Sequence, residues 1–209
     1  MIRLPVTTGL LAALLTLGGC SLLPESEPVA VYQYSQPPQD LSQQRRQSLP
    51  LSLRVDTPQA GYAHTGPRLM VQTRDNQLLS YRGVRWSDPT PTLLREYLVQ
   101  AFQRQGGLRA VTTDENALHA DVHLGSDLRR FQVVDGEQPH ILIELQARLV
   151  NPESRRIYVS RDFRIEQPIG STQIAQVLEG HELAAQTLAR QLLDWALPQL
   201  AAIPADSGP

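Results

Sequence analysis

A single cysteine, Cys20, occurs among 209 residues, and it closes Leu17-Gly18-Gly19-Cys20 at the end of a short apolar run. No second thiol is present, so the folded part of the chain contains no disulfide and is held by packing and hydrogen bonds. Upstream stand Arg3, the apolar core Leu10 to Leu15 and then small residues, the three zones of a secretory leader. Spanning a bilayer core of roughly 30 Å takes about 20 apolar residues. This run is shorter, so the leader reads as a segment to be removed, not as a membrane helix.

The pattern resembles the bacterial lipobox, in which the cysteine thiol receives a diacylglycerol and the peptidase then cuts before it. That resemblance makes Cys20 the lipid-attachment residue and divides the chain into a signal peptide (1–19), a lipidated tether (20–28), a folded domain (29–203) and a tail (204–209). Two acyl signals give stable attachment where one gives marginal binding. The tether Ser21-Leu22-Leu23-Pro24-Glu25-Ser26-Glu27-Pro28 is rich in Pro, Ser and Glu. Eight residues reach at most about 26–29 Å, which keeps the domain close to its bilayer. Ser21 rather than aspartate follows the cysteine, which in the lipoprotein sorting rule favours the outer membrane, on the periplasmic side, over the inner.

The mature length suits one domain, and an apolar content of 41% can fill its core. Charge excludes one class of partner. With 19 basic and 21 acidic side chains and no long run of either sign, nucleic acid is not an expected ligand. Every basic residue is arginine.

Periodicity predicts an α+β fold: a mostly antiparallel β-sheet with two α-helices packed on one face. Strands are expected at 29–34 and 51–55, then at 68–73 and 77–86 as a hairpin about Arg74-Asp75-Asn76. A helix follows, opened by Pro89 or Pro91, capped by Asp88 or Thr90 and stopped by Gly106-Gly107, with Leu94, Leu98, Ala101 and Phe102 on one face. Further strands are read at 117–124, 141–149 and 157–165, the last two joined through Asn151-Pro152-Glu153-Ser154. A long terminal helix, capped by Ser171 or Thr172, carries an apolar stripe from Ile174 to Trp195 and ends before Pro198, with a possible break at Gly180. Since each strand shows one polar face, the sheet is expected to be antiparallel and covered on one side only.

Catalytic signatures are scarce, and the chain is not read as an enzyme. No G-x-S-x-G occurs, the glycines form no phosphate loop, and the one thiol is taken by the anchor. His119, Asp121 and His123 alternate as on one strand face, but that spacing places the imidazoles about 13 Å apart, too far to share an ion bound at about 2.0–2.1 Å. They read as a solvated face, with no metal or cofactor expected. Arg129-Arg130 and Arg155-Arg156 read as charged hairpin ends. Tyr81, Trp86 and Tyr97 gather at the hairpin–helix junction, either as core or as a patch that docks a partner.

Together with the lipobox, several segments resemble the ABC-type transport auxiliary lipoprotein family: Val31-Tyr32-Gln33-Tyr34, Leu53-Arg54-Val55, Gly61-Tyr62-Ala63 and Arg68-Leu69-Met70-Val71-Gln72-Thr73. Most specific is Leu78-Leu79-Ser80-Tyr81-Arg82-Gly83-Val84-Arg85-Trp86-Ser87-Asp88-Pro89. The resemblance implies a non-catalytic, membrane-anchored component of a system whose permease, ATPase and mammalian-cell-entry (MCE) protein move lipids or other hydrophobic compounds between two membranes. It implies an MCE-domain protein as the partner. Two other classes share the anchor: an outer-membrane assembly or cell-wall-binding lipoprotein, separable by crosslinking, and an anchored hydrolase, which requires a pocket uniting nucleophile, base and oxyanion donor.

Overall fold

The computed structural model describes residues 28–38 and 48–203. Cys20, the leader, most of the tether and the tail lie outside them. Ten strands and two α-helices follow in the order β1 (Ala30–Tyr32), β2 (Leu49–Val55), β3 (Gln59–Ala60), a 3-10 turn (Tyr62–His64), β4 (Met70–Gln72), β5 (Leu78–Ser80), β6 (Val84–Trp86), α1 (Thr90–Gln105), β7 (Leu108–Thr113), β8 (Val122–Val134), β9 (His140–Val150), β10 (Ile157–Pro168) and α2 (Ile174–Ala201).

The sheet is mixed, which corrects the expected antiparallel one. Eight strands form it along the path β10-β9-β8-β2-β7, with β3 and β4 also on β8 and β5 on β4. The β8–β9–β10 meander and the β4–β5 hairpin are antiparallel. In contrast β2, β3 and β4 run parallel to β8, and β7 runs parallel to β2. One strand sets this arrangement. β8 is 13 residues long, and three short strands lie in turn along one of its edges, at residues 122–124, 127–128 and 132–134. They are pieces of one path travelling in the same direction, and the sheet curls into a half-barrel. A register shift between Leu128 and Arg130 adds local twist. Alternation of apolar and polar residues reports which face is buried, not the direction of the neighbouring strand, so parallel pairing left no mark in the pattern.

Other differences are local. The predicted strand 77–86 is two strands, because Gly83 adopts a φ of +68° and turns the chain between them; β6 then leaves the hairpin and pairs in parallel with β1. Residues 117–121 are not strand: β8 starts at Val122 and continues through Arg129-Arg130, which sit in its middle and not at a hairpin end. β7 was not foreseen at all. Arg155-Arg156 does lie at the β9–β10 turn.

Both helices cover one face of the sheet. Leu94, Leu98, Ala101 and Phe102 of α1 and Val177, Ala185, Leu188 and Leu192 of α2 enter a continuous core with Leu53, Val122, Leu124, Phe131, Ile143 and Leu145 of the strands. α2 docks on β10 edge-on, with the Trp195 and Phe163 rings 5.7 Å apart. Neither helix has a side-chain cap: Pro89 and Gln173 occupy the N-cap positions, and the Thr90 hydroxyl instead donates to the Gly66 carbonyl at 3.1 Å. α2 does not break at Gly180. Ile141 of β9 and Ile169 crowd the place a Cβ would fill, Ile141 at 3.0 Å, so the glycine is a point of close helix–sheet approach. The helix also runs on through Pro198 to Ala201, a turn that keeps Leu200 buried.

One buried cation ties the layers together. Arg95 on α1 is 2% exposed and donates to Asp114 at 3.0 Å, Glu115 at 2.7 Å, Glu96 at 2.7 Å and the Thr57 hydroxyl at 2.8 Å. It thereby joins α1 to the end of β2 and to the β7–β8 turn. A buried guanidinium is tolerated because its donors are answered.

Candidate functional site

Two groups of polar side chains invite a functional reading, one sealed and one open. The sealed group grows from the hairpin–helix junction. Trp86 ends β6 and Tyr97 stands two turns into α1, both buried; Tyr81 is half-buried and its hydroxyl donates to the Thr172 carbonyl at 3.1 Å. The structure brings Trp86 and Tyr97 together around a third ring, Tyr34, at 5.3 Å from each. Beyond Trp86 lies His181 of α2, edge-on at 5.3 Å, itself stacked on Phe131 of β8 at 4.9 Å. These are core rings, not an exposed patch.

Their polar atoms are another matter. The Tyr34 and Tyr97 hydroxyls, the Trp86 indole nitrogen and both imidazole nitrogens of His181 are buried with no protein partner. Burial alone pushes the His181 pKa down to about 3, so the ring is neutral at ordinary pH. The same desolvation, reinforced by Tyr97 and Glu182, raises the Tyr34 phenol well above its usual range.

The open group lies at the start of β8. A cleft of about 750 Å³ is lined there by Leu51, Ser52, Arg54, Arg109, Leu118 to Asp121, His123, the β9–β10 turn at Asn151 to Glu153, Tyr158 and Ile203. It gathers His119, Asp121 and His123, but in distinct roles. Asp121 accepts from the Ser52 backbone amide at 2.6 Å and the Ser52 hydroxyl at 2.5 Å, and from Arg109 at 2.8 Å. Burial pushes its carboxyl up, yet the two Ser52 bonds and the Arg109 charge outweigh that and hold it below the usual carboxylate range. His123 is half-buried, and its pKa is lowered by burial and by the Arg54 guanidinium, with partial opposition from Asp56. Arg54 is itself paired with Asp56 at 2.7 Å.

Chemically the cleft offers hydrogen-bonding groups around a carboxylate that is already paired. The one carboxylate at its floor is saturated, and the hydroxyl beside it is a donor to that carboxylate. Among the described residues no group of three or more His, Cys, Asp or Glu side chains could hold a metal ion. Ser52, Arg109 and His181 were not singled out from sequence, and Tyr34 entered only within the segment Val31-Tyr32-Gln33-Tyr34. Ser52 and Asp121 lie 69 positions apart, so no local spacing could have joined them.

The fold and these sites define a class: a small α+β domain with a mixed, curled sheet, helices on one face, and among the described residues no helix long and apolar enough to cross a membrane. Within that class the chain belongs to the ABC-type transport auxiliary lipoprotein component family, which it matches over residues 32–192. Protein XCC0632 of Xanthomonas campestris, a solved structure, superimposes with a TM-score of 0.74 at 27% identity, over 81% of this chain and 96% of that one. Protein CT253 of Chlamydia trachomatis shares the fold alone, with a TM-score of 0.50 and 12% identity over 73% of this chain and 99% of its own. A Bradyrhizobium diazoefficiens protein of uncharacterized function is 24% identical over 151 residues, 72% of this chain; the chain spans 40% of that relative's length.

Proposed function

We propose that this protein is the acylated, non-catalytic docking component of an ABC transport system of the MCE type. Cys20 carries the lipid, the eight residues after it form the tether, and the domain stands on the periplasmic side of the outer membrane. There it engages the MCE-domain protein that conducts lipids or other hydrophobic compounds across the envelope. The observation that carries this reading is the pairing of family membership over 32–192 with a leader whose lone cysteine sits at its cleavage point. The saturated Asp121 at the floor of the cleft supports a binding role over a hydrolytic one.

Cys20→Ser is expected to release the protein from the membrane fraction while its melting temperature stays unchanged, since the acyl chains and the core are separate sources of free energy. Unaltered attachment would remove the anchor from this account. In-cell photocrosslinking from the cleft rim, at Leu118 or Glu153, tests the partner. Capture of an MCE protein supports the reading, and capture of peptidoglycan or an assembly barrel instead points to the alternative lipoprotein class.

A further inference from the structure

The segment that leaves the tether does not hang free: it joins the domain as a strand. β1 is held at both ends, by the Ala30 amide donating to the Gly83 carbonyl at 2.8 Å and the Ser87 amide donating to the Tyr32 carbonyl at 2.6 Å. On the far edge of β6 the chain at 67–69 adds a third member, where the Trp86 amide donates to the Pro67 carbonyl at 2.8 Å. Side chains alternate across such strands. Trp86 and Leu69 point into the core, so Arg85 and Arg68 point out, and Val31, paired with Arg85 in register, shares their face.

This face exposes apolar and basic side chains together. Val29 and Val31 are 51% and 50% exposed. Arg68, Arg85 and Arg82, the last beside Gly83 at the turn before β6, are exposed and make no ion pair or side-chain hydrogen bond among the described residues. Several other arginines are engaged, Arg164 on Glu144 and Glu166, Arg148 on Asp127 and Arg129 on Asp162, while Arg74, Arg155, Arg156 and Arg190 are exposed like these three. At this end Asp88 is engaged by the Ser87 hydroxyl at 2.7 Å, and the charge of Asp135 acts on Tyr81, the neighbour of Arg82. Glu25 and Glu27 of the tether lie between Cys20 and Val29 and limit the attraction this cluster can exert.

We propose that the outward face of β1, β6 and residues 67–69 rests on the surface of an anionic bilayer, Val29 and Val31 at the headgroup boundary and the three guanidiniums on lipid phosphates. The inference rests on acylation of Cys20, because the short tether is what holds this face within about 29 Å of the lipid. Basic side chains are drawn to such a surface, and a second signal beside an acyl chain strengthens attachment in the orientation that presents it. In that pose the cleft is separated from the bilayer-facing strands along the length of β8. The cleft lies at the start of β8 and the Trp86 cluster packs near its middle and end, and β8 with 13 residues is about 40 Å long.

The test uses the lipidated protein in vesicles. Val31→Cys provides the one free thiol once Cys20 is acylated, and a nitroxide there reports its collisions with lipid-soluble oxygen and with a water-soluble nickel chelate; Leu183→Cys on the exposed side of α2 is the reference. In vesicles containing phosphatidylglycerol the oxygen-to-nickel ratio is expected to rise severalfold at position 31 and to stay water-like at position 183. The rise should vanish in pure phosphatidylcholine, and in the Arg68→Glu, Arg82→Glu, Arg85→Glu variant, while the protein still co-sediments. A label at 31 as water-accessible as that at 183, on protein that remains attached to anionic vesicles, overturns the proposal and leaves the anchor standing. Failure of the wild type to co-sediment at all overturns the anchor, and this proposal with it.

Discussion

The sealed cluster around His181 and the open cleft around Asp121 treat polar groups in opposite ways. Around His181 the side chains are fully withdrawn from water and their nitrogens and hydroxyls find no protein partner. Around Asp121 the carboxylate remains about one-third exposed, and the Ser52 amide, the Ser52 hydroxyl and the Arg109 guanidinium converge on it. Both titrations are shifted downward, but one because the charged form is starved of partners and the other because it is supplied with them. The difference separates scaffold from surface. A histidine kept neutral by desolvation packs here as a ring among rings, whereas a carboxylate kept ionised by hydrogen bonds holds a rim in shape for something to approach.

Acid should expose this contrast most strongly. His181 has its folded pKa lowered to about 3 against roughly 6.5 when unfolded, so the unfolded chain takes up a proton that the fold refuses. Its contribution is complete above pH 6.5 and is lost as pH falls toward 3, at about 1.4 kcal/mol per pH unit and on the order of 4–5 kcal/mol in all. His64 and His123 are also lowered, by burial first and then by Arg130 and Arg54 respectively, and add smaller slopes of the same sign. His181→Leu should therefore flatten the urea midpoint against pH by one proton's worth between pH 6.5 and 4.5, with little cost at pH 7.5. A slope equal to that of the wild type would show that His181 is protonated in the fold, and the comparison would collapse.

Next in size is the ring that closes the cluster. Trp86→Ala opens a void against Tyr34, Phe131 and His181 and should cost about 3–5 kcal/mol, read as a fall in melting temperature. A variant that melts with the wild type would place Trp86 at the surface and return it, with Tyr81 and Tyr97, to the docking reading of the hairpin–helix junction.

Much of this was legible in the sequence, and what was not has a common cause. The α1 stripe of Leu94, Leu98, Ala101 and Phe102, the 140s strand and the turn at Asn151 all follow from period and turn chemistry, which act over a few residues. The parallel course of β2, β3 and β4 along β8 depends on which distant segments meet, and no local spacing encodes that. Residues 117–121 alternate like a strand yet are not one, because Asp121 is claimed by Ser52 and Arg109 before β8 begins. His181 hid for a different reason: it stands one residue after Gly180, inside a helical stripe, where a histidine reads as a polar interruption. Only the close approach of Ile141 and Ile169 at that glycine shows how deep the turn lies.

The smallest effect belongs to the cleft and tests its half of the comparison from the other side. Asp121→Asn keeps the shape and an acceptor for the Ser52 amide but removes the charge that Arg109 and the Ser52 hydroxyl address. Since Arg109 is 61% exposed, water screens that pair, and the loss at pH 7 should be about 1 kcal/mol. The sign with pH is the depressed-carboxylate case: the wild-type contribution is present above about pH 3.9 and disappears as pH falls through the lower folded pKa. The urea midpoints of wild type and Asp121→Asn should thus differ at pH 7 and converge as pH falls through the lowered folded pKa, whereas the His181 effect already begins at about pH 6.5. A gap that persists unchanged at low pH would mean that the carboxyl group matters for its hydrogen bonds and packing and not for its charge. The cleft would then be packed in the manner of the sealed cluster, and its claim to be a surface awaiting a partner would pass to the β1–β6 face.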